Sequence, residues 1–285
     1  MPHGAAPGQW DRAGRLWERA GSVFGMLTEE QRAEVADRLW AAERERAPIP
    51  PLTETDPGID VVDAYEIQLV NIRRRLAAGG VVRGHKVGLS SKAMQQMMGV
   101  HEPDYGHLLA DMALRPDEPV AAGRYCYPRV EVEVGFVLGA DLPGEGCTEA
   151  DVLAATERVV PAIELIDSRI ADWRIRLADT IADNASSAGY VIGDGVPPDG
   201  LDLTAIDATL YRDGEFVVAG RSDAVLGDPV VAVAWLARKV ASFGVRLHAG
   251  HVVLPGSCTR AIDVAGGQTF TATFSELGSV SLSFK

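Results

Sequence analysis

Three acidic residues and one lysine carry the chemistry this sequence points to first. In Pro128-Arg129-Val130-Glu131-Val132-Glu133-Val134-Gly135-Phe136-Val137-Leu138, valine recurs at every second position. Period two marks a half-buried β-strand, so Val130, Val132 and Val134 share one face while Glu131, Glu133 and Gly135 share the other. Same-face neighbours on a strand stand roughly 6.5–7 Å apart at the backbone. Two glutamates at that spacing either belong to a solvated face or bend towards one small cation, with Gly135 leaving the face open beside them. A third acid, Glu164, lies in Pro161-Ala162-Ile163-Glu164-Leu165-Ile166, a buried-looking strand where a charge is costly unless paired or bound. Three carboxylates, completed by water and a substrate, make the octahedral oxygen shell that Mg²⁺ and Mn²⁺ prefer.

Lys86 sits in Gly84-His85-Lys86-Val87-Gly88-Leu89, where flanking glycines permit another backbone or a ligand to approach closely. A surface lysine is the plain alternative. Two loops, Asp183-Asn184-Ala185-Ser186-Ser187-Ala188-Gly189 and Leu254-Pro255-Gly256-Ser257-Cys258-Thr259, gather small hydrogen-bonding residues next to strands. Such loops are either simple turns or donors for a substrate carboxylate. No stretch matches G-x-G-x-x-G or a P-loop, so no nucleotide cofactor is expected.

The elements that must position these residues follow from periodicity. Trp10, Ala13, Trp17, Ala20, Phe24 and Leu27 form an amphipathic stripe within an N-terminal extension, residues 1–27. Thr28 with Gln31 reads as a capping box starting a helix to about Arg46, and Pro48, Pro50 and Pro51 end it. Asp60 caps a further helix to about Ala78, with Val62, Tyr65, Leu69, Ile72 and Leu76 as its buried stripe. Residues 81–89 read as a strand, Ser90 or Ser91 caps a short helix whose Met94, Met97 and Met98 fill core, and His101–Gly106 is a loop. Strands follow at Val130–Leu138, Val159–Ile166, Ala188–Ile192, His251–Leu254, Thr269–Phe274 and Ser279–Phe284, with a hairpin turning at Asp213-Gly214 and helices at 148–156 and 229–243. Helices first and many strands after indicate an α+β fold with a mainly antiparallel, curled sheet.

The chain has 285 residues, 47% of them hydrophobic and 24% charged, enough to bury a sizeable core. A formal charge of −13 argues against nucleic acid or an anionic membrane as partner. With no long apolar run and no secretory leader pattern, a cytoplasmic location is expected. Cys126, Cys147 and Cys258 are odd in number and lack C-x-x-C spacing, which indicates free thiols.

Together these segments resemble the fumarylacetoacetate hydrolase superfamily, within it the 2-hydroxypenta-2,4-dienoate (2-keto-4-pentenoate) hydratases. The motifs that carry the resemblance are Gly84-His85-Lys86-Val87-Gly88-Leu89-Ser90-Ser91, Glu102-Pro103-Asp104-Tyr105-Gly106, the E-x-E strand with Glu164 beyond it, and Ala182-Asp183-Asn184-Ala185-Ser186-Ser187. The resemblance implies Mg²⁺ or Mn²⁺ on Glu131, Glu133 and Glu164, and catalytic roles for Lys86 and Asp104. It also implies substrate contacts from the loops bearing Ser186, Ser187, Ser257 and Thr259. It further implies a mixed β-roll, residues 81–285, behind a helical N-terminal portion, residues 28–80, in a homo-oligomer. The expected reaction is hydration of a 2-hydroxydienoate. The alternatives are decarboxylation of 2-oxo-3-hexenedioate (4-oxalocrotonate), C–C hydrolysis of an acylpyruvate, for which no His–Glu pair stands out, and, in another class, an inactive metal-stabilised binding protein.

Overall fold

The computed structural model describes residues 27–285, apart from the side chains of Met97 and Met98. The apolar stripe from Trp10 to Phe24 therefore lies outside the described residues, as do the expected core roles of Met97 and Met98. Helix α1 (Glu29–Glu45) opens on the expected capping box: Gln31 N donates to Thr28 Oγ1 at 3.2 Å, and Thr28 N to Gln31 Oε1 at 2.8 Å. A single turn, α2 (Leu52–Thr55), follows the prolines, and α3 (Val61–Ala77) begins at Asp60.

The buried face of α3 is broader than its apolar stripe. Asp63 and Gln68 are buried, whereas Val62 and Leu76 are only half-buried. Both polar side chains earn that position by finding partners. The Asp63 carboxylate accepts from Arg32 Nε at 2.8 Å and Leu27 N at 3.1 Å, tying the start of α1 to the start of α3. Gln68 Nε2 donates to Tyr105 O at 3.1 Å and Ile181 O at 2.8 Å, so α3 is bonded to the segments that flank the site described below.

The short helix α4 (Lys92–Met98) is capped by Ser91 as expected. Its core assignment is corrected at Met94, which is 43% exposed. Gln95 takes the inward face instead, because its Nε2 donates to the Leu89 carbonyl at 2.9 Å and closes the turn before the helix. The remaining helices are α5 (Glu149–Ala155), α6 (Leu177–Ala182) and α7 (Pro229–Ala241). Among the described residues no helix is long and apolar enough to cross a membrane.

The strands are β1 (Val82–Gly88), β2 (Asp104–Leu109), β3 (Arg129–Leu138), β4 (Thr156–Ile166), β5 (Ser187–Ile192), β6 (Asp207–Arg212), β7 (Glu215–Arg221), β8 (Val252–Leu254), β9 (Ile262–Asp263), β10 (Thr269–Phe274) and β11 (Gly278–Ser283). One sheet runs β2-β1-β8-β3-β4-β5 with β9 beside β3, and only β1 and β8 pair in parallel. The second, β11-β10-β6-β7, is antiparallel throughout. The result is the expected α+β fold with a mixed, mainly antiparallel, curled sheet. Asp213 and Gly214, at φ 54° and 84°, make the expected tight turn between β6 and β7. Strand β2 replaces part of the loop expected at 101–106. All six of its residues are buried, so it shows no alternation to read.

Period two sorts β3 between two cores. Val130, Val132 and Val134 pack with Ile163 and Leu165 against Leu210, Phe270, Ala272 and Leu282 of the second sheet. On the opposite face, Val137 packs with Leu108, Val160, Ala162, Tyr190 and Leu254, and with Ile72 of α3. The two glutamates of β3 therefore share their face with a core, not with solvent.

Candidate metal and active site

The β3–β4 register sets Glu131 directly opposite Glu164, and Glu133 lies two residues further along the same face. Directly opposed residues bring their Cβ atoms to roughly 4.5–5.5 Å, close enough for the side chains to converge. Carboxylate oxygens of Glu131, Glu133 and Glu164 lie within 4.8 Å of one another. Glu133 and Glu164 are fully buried and Glu131 half-buried, which rules out the solvated-face reading. Gly135 does not leave the face open. A Cβ there would lie 3.0 Å from Val160 Cγ2 and 3.3 Å from Leu254 Cδ2, which already fill the space.

Few hydrogen bonds satisfy these acids. Gly256 N donates to Glu133 Oε2 at 2.7 Å, while Glu133 Oε1 and both Glu164 oxygens accept none. Gly256 reaches this position at φ +126°, where an added Cβ would sit 1.7 Å from Ser90 Oγ, so only glycine fits. Burial, reinforced by Glu164 and Glu131, pushes the Glu133 carboxyl well above the ordinary range. Burial also raises Glu164 and Glu131, against the opposing pull of the Lys86 ammonium.

Lys86 enters from β1, paired with Gly106 of β2 on one side and Leu254 of β8 on the other. Its Nζ lies 3.3 Å from Glu164 Oε2 and donates to the Ala185 carbonyl at 3.0 Å. Burial pulls this ammonium down, but Glu164, Glu131, Asp104 and Glu133 outweigh burial and hold it above its usual value. The surrounding carboxylates thus favour the charged form of Lys86. Asp104, two residues from Gly106 on β2, shares this face. Gly88 opposite it leaves room for that carboxylate, since a Cβ there would lie 2.2 Å from Asp104 Oδ1 and displace it. Burial raises the Asp104 carboxyl to about 6, partly offset by the Lys86 ammonium and by the Thr180 hydroxyl beside it. The glycines flanking Lys86 therefore serve the close approach their positions suggest.

The four hydroxyl residues divide. Ser186 and Ser187 are buried with hydroxyls that lack hydrogen-bond partners, and Ser187 lines a cavity of about 30 Å³ shared with Arg169, Asp183 and Asn71. Ser257 Oγ instead accepts from Val132 N at 3.2 Å, pinning its loop to β3, and Thr259 Oγ1 donates to Arg260 O. Sequence reading passed over the Ala185 carbonyl and the Gly256 N–H, because backbone groups leave no residue-type signal. It also passed over His85 and His107, opposed on β1 and β2 with ring centroids 4.7 Å apart behind Lys86. Burial lowers both, His107 to about 4, so they are neutral.

One ammonium faces three clustered carboxylates and Asp104. One carboxylate oxygen from each of Glu131, Glu133 and Glu164 comes within 4.8 Å of the others, and Glu133 and Glu164 carry oxygens without hydrogen-bond donors; this hard-donor set fits a divalent cation, which would hold the carboxylates ionised and replace the missing partners.

Comparison with known proteins assigns the family. Residues 80–284 match the family described as Fumarylacetoacetate (FAA) hydrolase C-terminal. The chain is 44% identical over 260 residues to a 2-keto-4-pentenoate hydratase of Paraburkholderia xenovorans (strain LB400), covering 91% of this chain and 97% of the relative. It is 41% identical over 257 residues to the 2-oxo-hept-4-ene-1,7-dioate hydratase of Escherichia coli, covering 88% and 96%. The 4-oxalocrotonate decarboxylase of Pseudomonas putida G7, solved with magnesium and adipate, superposes with a TM-score of 0.88 at 35% identity, covering 91% of this chain and 99% of that one. The match over residues 80–284, which spans the whole curled sheet and the strands bearing the three carboxylates, makes this chain a member of the fumarylacetoacetate hydrolase family.

Proposed function

We propose that the chain is a hydro-lyase that adds water to 2-hydroxypenta-2,4-dienoate (2-keto-4-pentenoate) or a homologue, giving a 4-hydroxy-2-oxoacid in the catabolism of aromatic or sterol compounds. Its metal is Mg²⁺ or Mn²⁺ on Glu131, Glu133 and Glu164, and the assembly is a homo-oligomer. The observation that carries this reading is the set of orphaned oxygens on Glu133 and Glu164, facing one buried ammonium. The two hydratase relatives at 44% and 41% identity support the reaction class.

In hydration of the dienol, the C2 hydroxyl loses a proton and C5 gains one, giving the 2-oxo-3-enoate. Water then adds at C4 and C3 takes a proton. A bound dication supplies an electron sink for the charge that builds on the C2 oxygen. Lys86 contributes positive charge: its Nζ donates to the Ala185 carbonyl and lies 3.3 Å from Glu164 Oε2, which leaves an N–H for a substrate oxygen. Asp104 is the proton carrier. A carboxyl at about 6 both takes and returns a proton near neutral pH, as transfer between the C2 hydroxyl, C5 and water requires. The apolar wall of Val160, Ala162 and Leu254 keeps bulk water from the charged groups.

The likeness to the decarboxylase favours a second reading, because loss of CO₂ from 2-oxo-3-hexenedioate builds charge on the same oxygen. The hydratase is preferred on the higher identity of the hydratase relatives. Supplying 2-hydroxypenta-2,4-dienoate, its methyl homologue and 4-oxalocrotonate with Mg²⁺, while following ultraviolet absorbance and CO₂ together, separates the two. Loss of the conjugated chromophore without CO₂ is expected. Turnover of oxalocrotonate alone, with CO₂, overturns the hydratase, and full activity after EDTA overturns the metal.

A further inference from the structure

Asn184, Ala185 and Ser186 all adopt left-handed backbone conformations, with φ of 53°, 49° and 57°. Three consecutive non-glycine residues in this region are strained, and such strain persists only where surrounding contacts over-determine it. The contacts here are specific. Asn184 Oδ1 accepts from His107 N at 2.7 Å and Asn184 Nδ2 donates to His107 O at 3.0 Å, so one carboxamide satisfies both backbone groups of a residue on edge strand β2. At the other end, Arg169 N donates to Asp183 Oδ2 at 2.9 Å, Arg169 Nη2 donates to Asp183 O at 2.6 Å, and Asp167 N donates to Ser186 O at 2.8 Å. The turn is therefore strung between β2 and the end of β4, the strand that carries Glu164.

What the turn presents is the Ala185 carbonyl, the hydrogen-bond acceptor of Lys86 Nζ at 3.0 Å. Gly106, the β2 partner of Lys86, makes room for it: a Cβ there would come within 2.3 Å of Asn184 O. We infer that Asn184 is a positioning residue, whose clamp on His107 holds the left-handed turn so that the Ala185 carbonyl fixes the Lys86 ammonium beside Glu164. This rests on the reading of Lys86 as a catalytic group. Without the clamp the turn relaxes towards ordinary backbone geometry and the carbonyl swings from Nζ. Lys86 then keeps its charge but not its place.

The chain has four lysines, Lys86, Lys92, Lys239 and Lys285, so the side-chain ammonium of Lys86 is assignable by ¹⁵N NMR through its loss in Lys86→Met. In the wild-type protein with Mg²⁺ this buried ammonium is expected to exchange slowly with water. Asn184→Ala is expected to speed its exchange about tenfold or more, the loss of one buried hydrogen bond. The same substitution lowers kcat about 100-fold while KM and Mg²⁺ affinity stay within about threefold. In the Lys86→Met background it has no further effect on the residual rate. Gly106→Ala, which pushes on the Asn184 carbonyl while leaving the Asn184 carboxamide in place, is expected to reproduce the NMR change and covers a failure of Asn184→Ala to fold. An unchanged Lys86 signal in either folded variant overturns the inference, as does an equal rate loss from Asn184→Ala with and without Lys86. The NMR arm needs no substrate. Faster Lys86 exchange in a protein that turns over no dienoate and no oxalocrotonate would refute the proposed function and leave the positioning role standing.

Discussion

Glu133→Gln is expected to stabilise the metal-free protein and, at the same time, to weaken its response to metal. The Glu133 carboxylate is fully buried, with one oxygen within 4.8 Å of an oxygen of Glu131 and of Glu164. At an effective dielectric constant of about 20, each ionised pair at that distance repels by about 3.5 kcal/mol. Protonation relieves part of that repulsion, so exchanging Glu133 for a neutral isostere returns about 2 kcal/mol. Gln keeps an acceptor for Gly256 N and adds donors towards the two remaining carboxylates. For a chain of this size the gain corresponds to a rise of about 4–8 °C in Tm. The sign follows from the raised folded pKa of Glu133. Its carboxyl contributes stability below the unfolded value and loses it as pH rises through the folded one, so the benefit of Gln grows from pH 5 to pH 8. Metal reverses the ranking. Losing an outer-sphere partner of a metal site already costs 10–100-fold in affinity, so losing a ligand costs about 100-fold or more. At a Mg²⁺ concentration 100 times the wild-type Kd, metal then stabilises the wild type by about 2.7 kcal/mol and the variant by about 0.4 kcal/mol. Scanning calorimetry at pH 8, after EDTA and then with Mg²⁺, reads both numbers. A metal-free variant less stable than wild type refutes the like-charge argument, and an undiminished Mg²⁺ shift removes Glu133 from the ligand set.

Asp104, held at about 6, should give the rate an acid limb there, with activity lost as pH falls and the carboxyl is protonated. Asp104→Asn should lower kcat by about 10²–10⁴-fold and remove the limb; a limb that survives in the variant assigns it to another group. Gly88→Ala places a Cβ 2.2 Å from Asp104 Oδ1. It should reduce kcat about 100-fold with the circular dichroism spectrum and Mg²⁺ affinity retained, and wild-type turnover would show that the placement of Asp104 does not matter.

Much of the fold was legible because its elements carry local signals: the Thr28–Gln31 and Asp60 caps, the valine alternation of β3, the Asp213-Gly214 turn. What was hidden lacked such signals. Strand β2 is buried on both faces, so its sequence has no polar side to alternate. Asp63 and Gln68 are buried on α3 because they meet backbone donors and acceptors from distant segments, and no 3.6-residue pattern encodes those partners. Met94 was misplaced for the converse reason: Gln95 meets the Leu89 carbonyl and turns the helix.

The residues of the candidate site were legible by type, and their burial was not. An E-x-E strand reads the same whether its charged face meets water or a core, and the difference lies in Val160, Ala162 and Leu254, which close that face from elsewhere in the chain. Once they do, ordinary folding logic is violated: three carboxylates converge with one ammonium beside them and three oxygens left without donors. A core selected for stability alone would fill these positions with apolar residues, as β3 does on its valine face. The same strand thus holds the control within itself. Val130, Val132 and Val134 satisfy packing, while Glu131 and Glu133 oppose it at alternate positions, and a local conflict of that kind marks where the sequence serves chemistry instead of the fold.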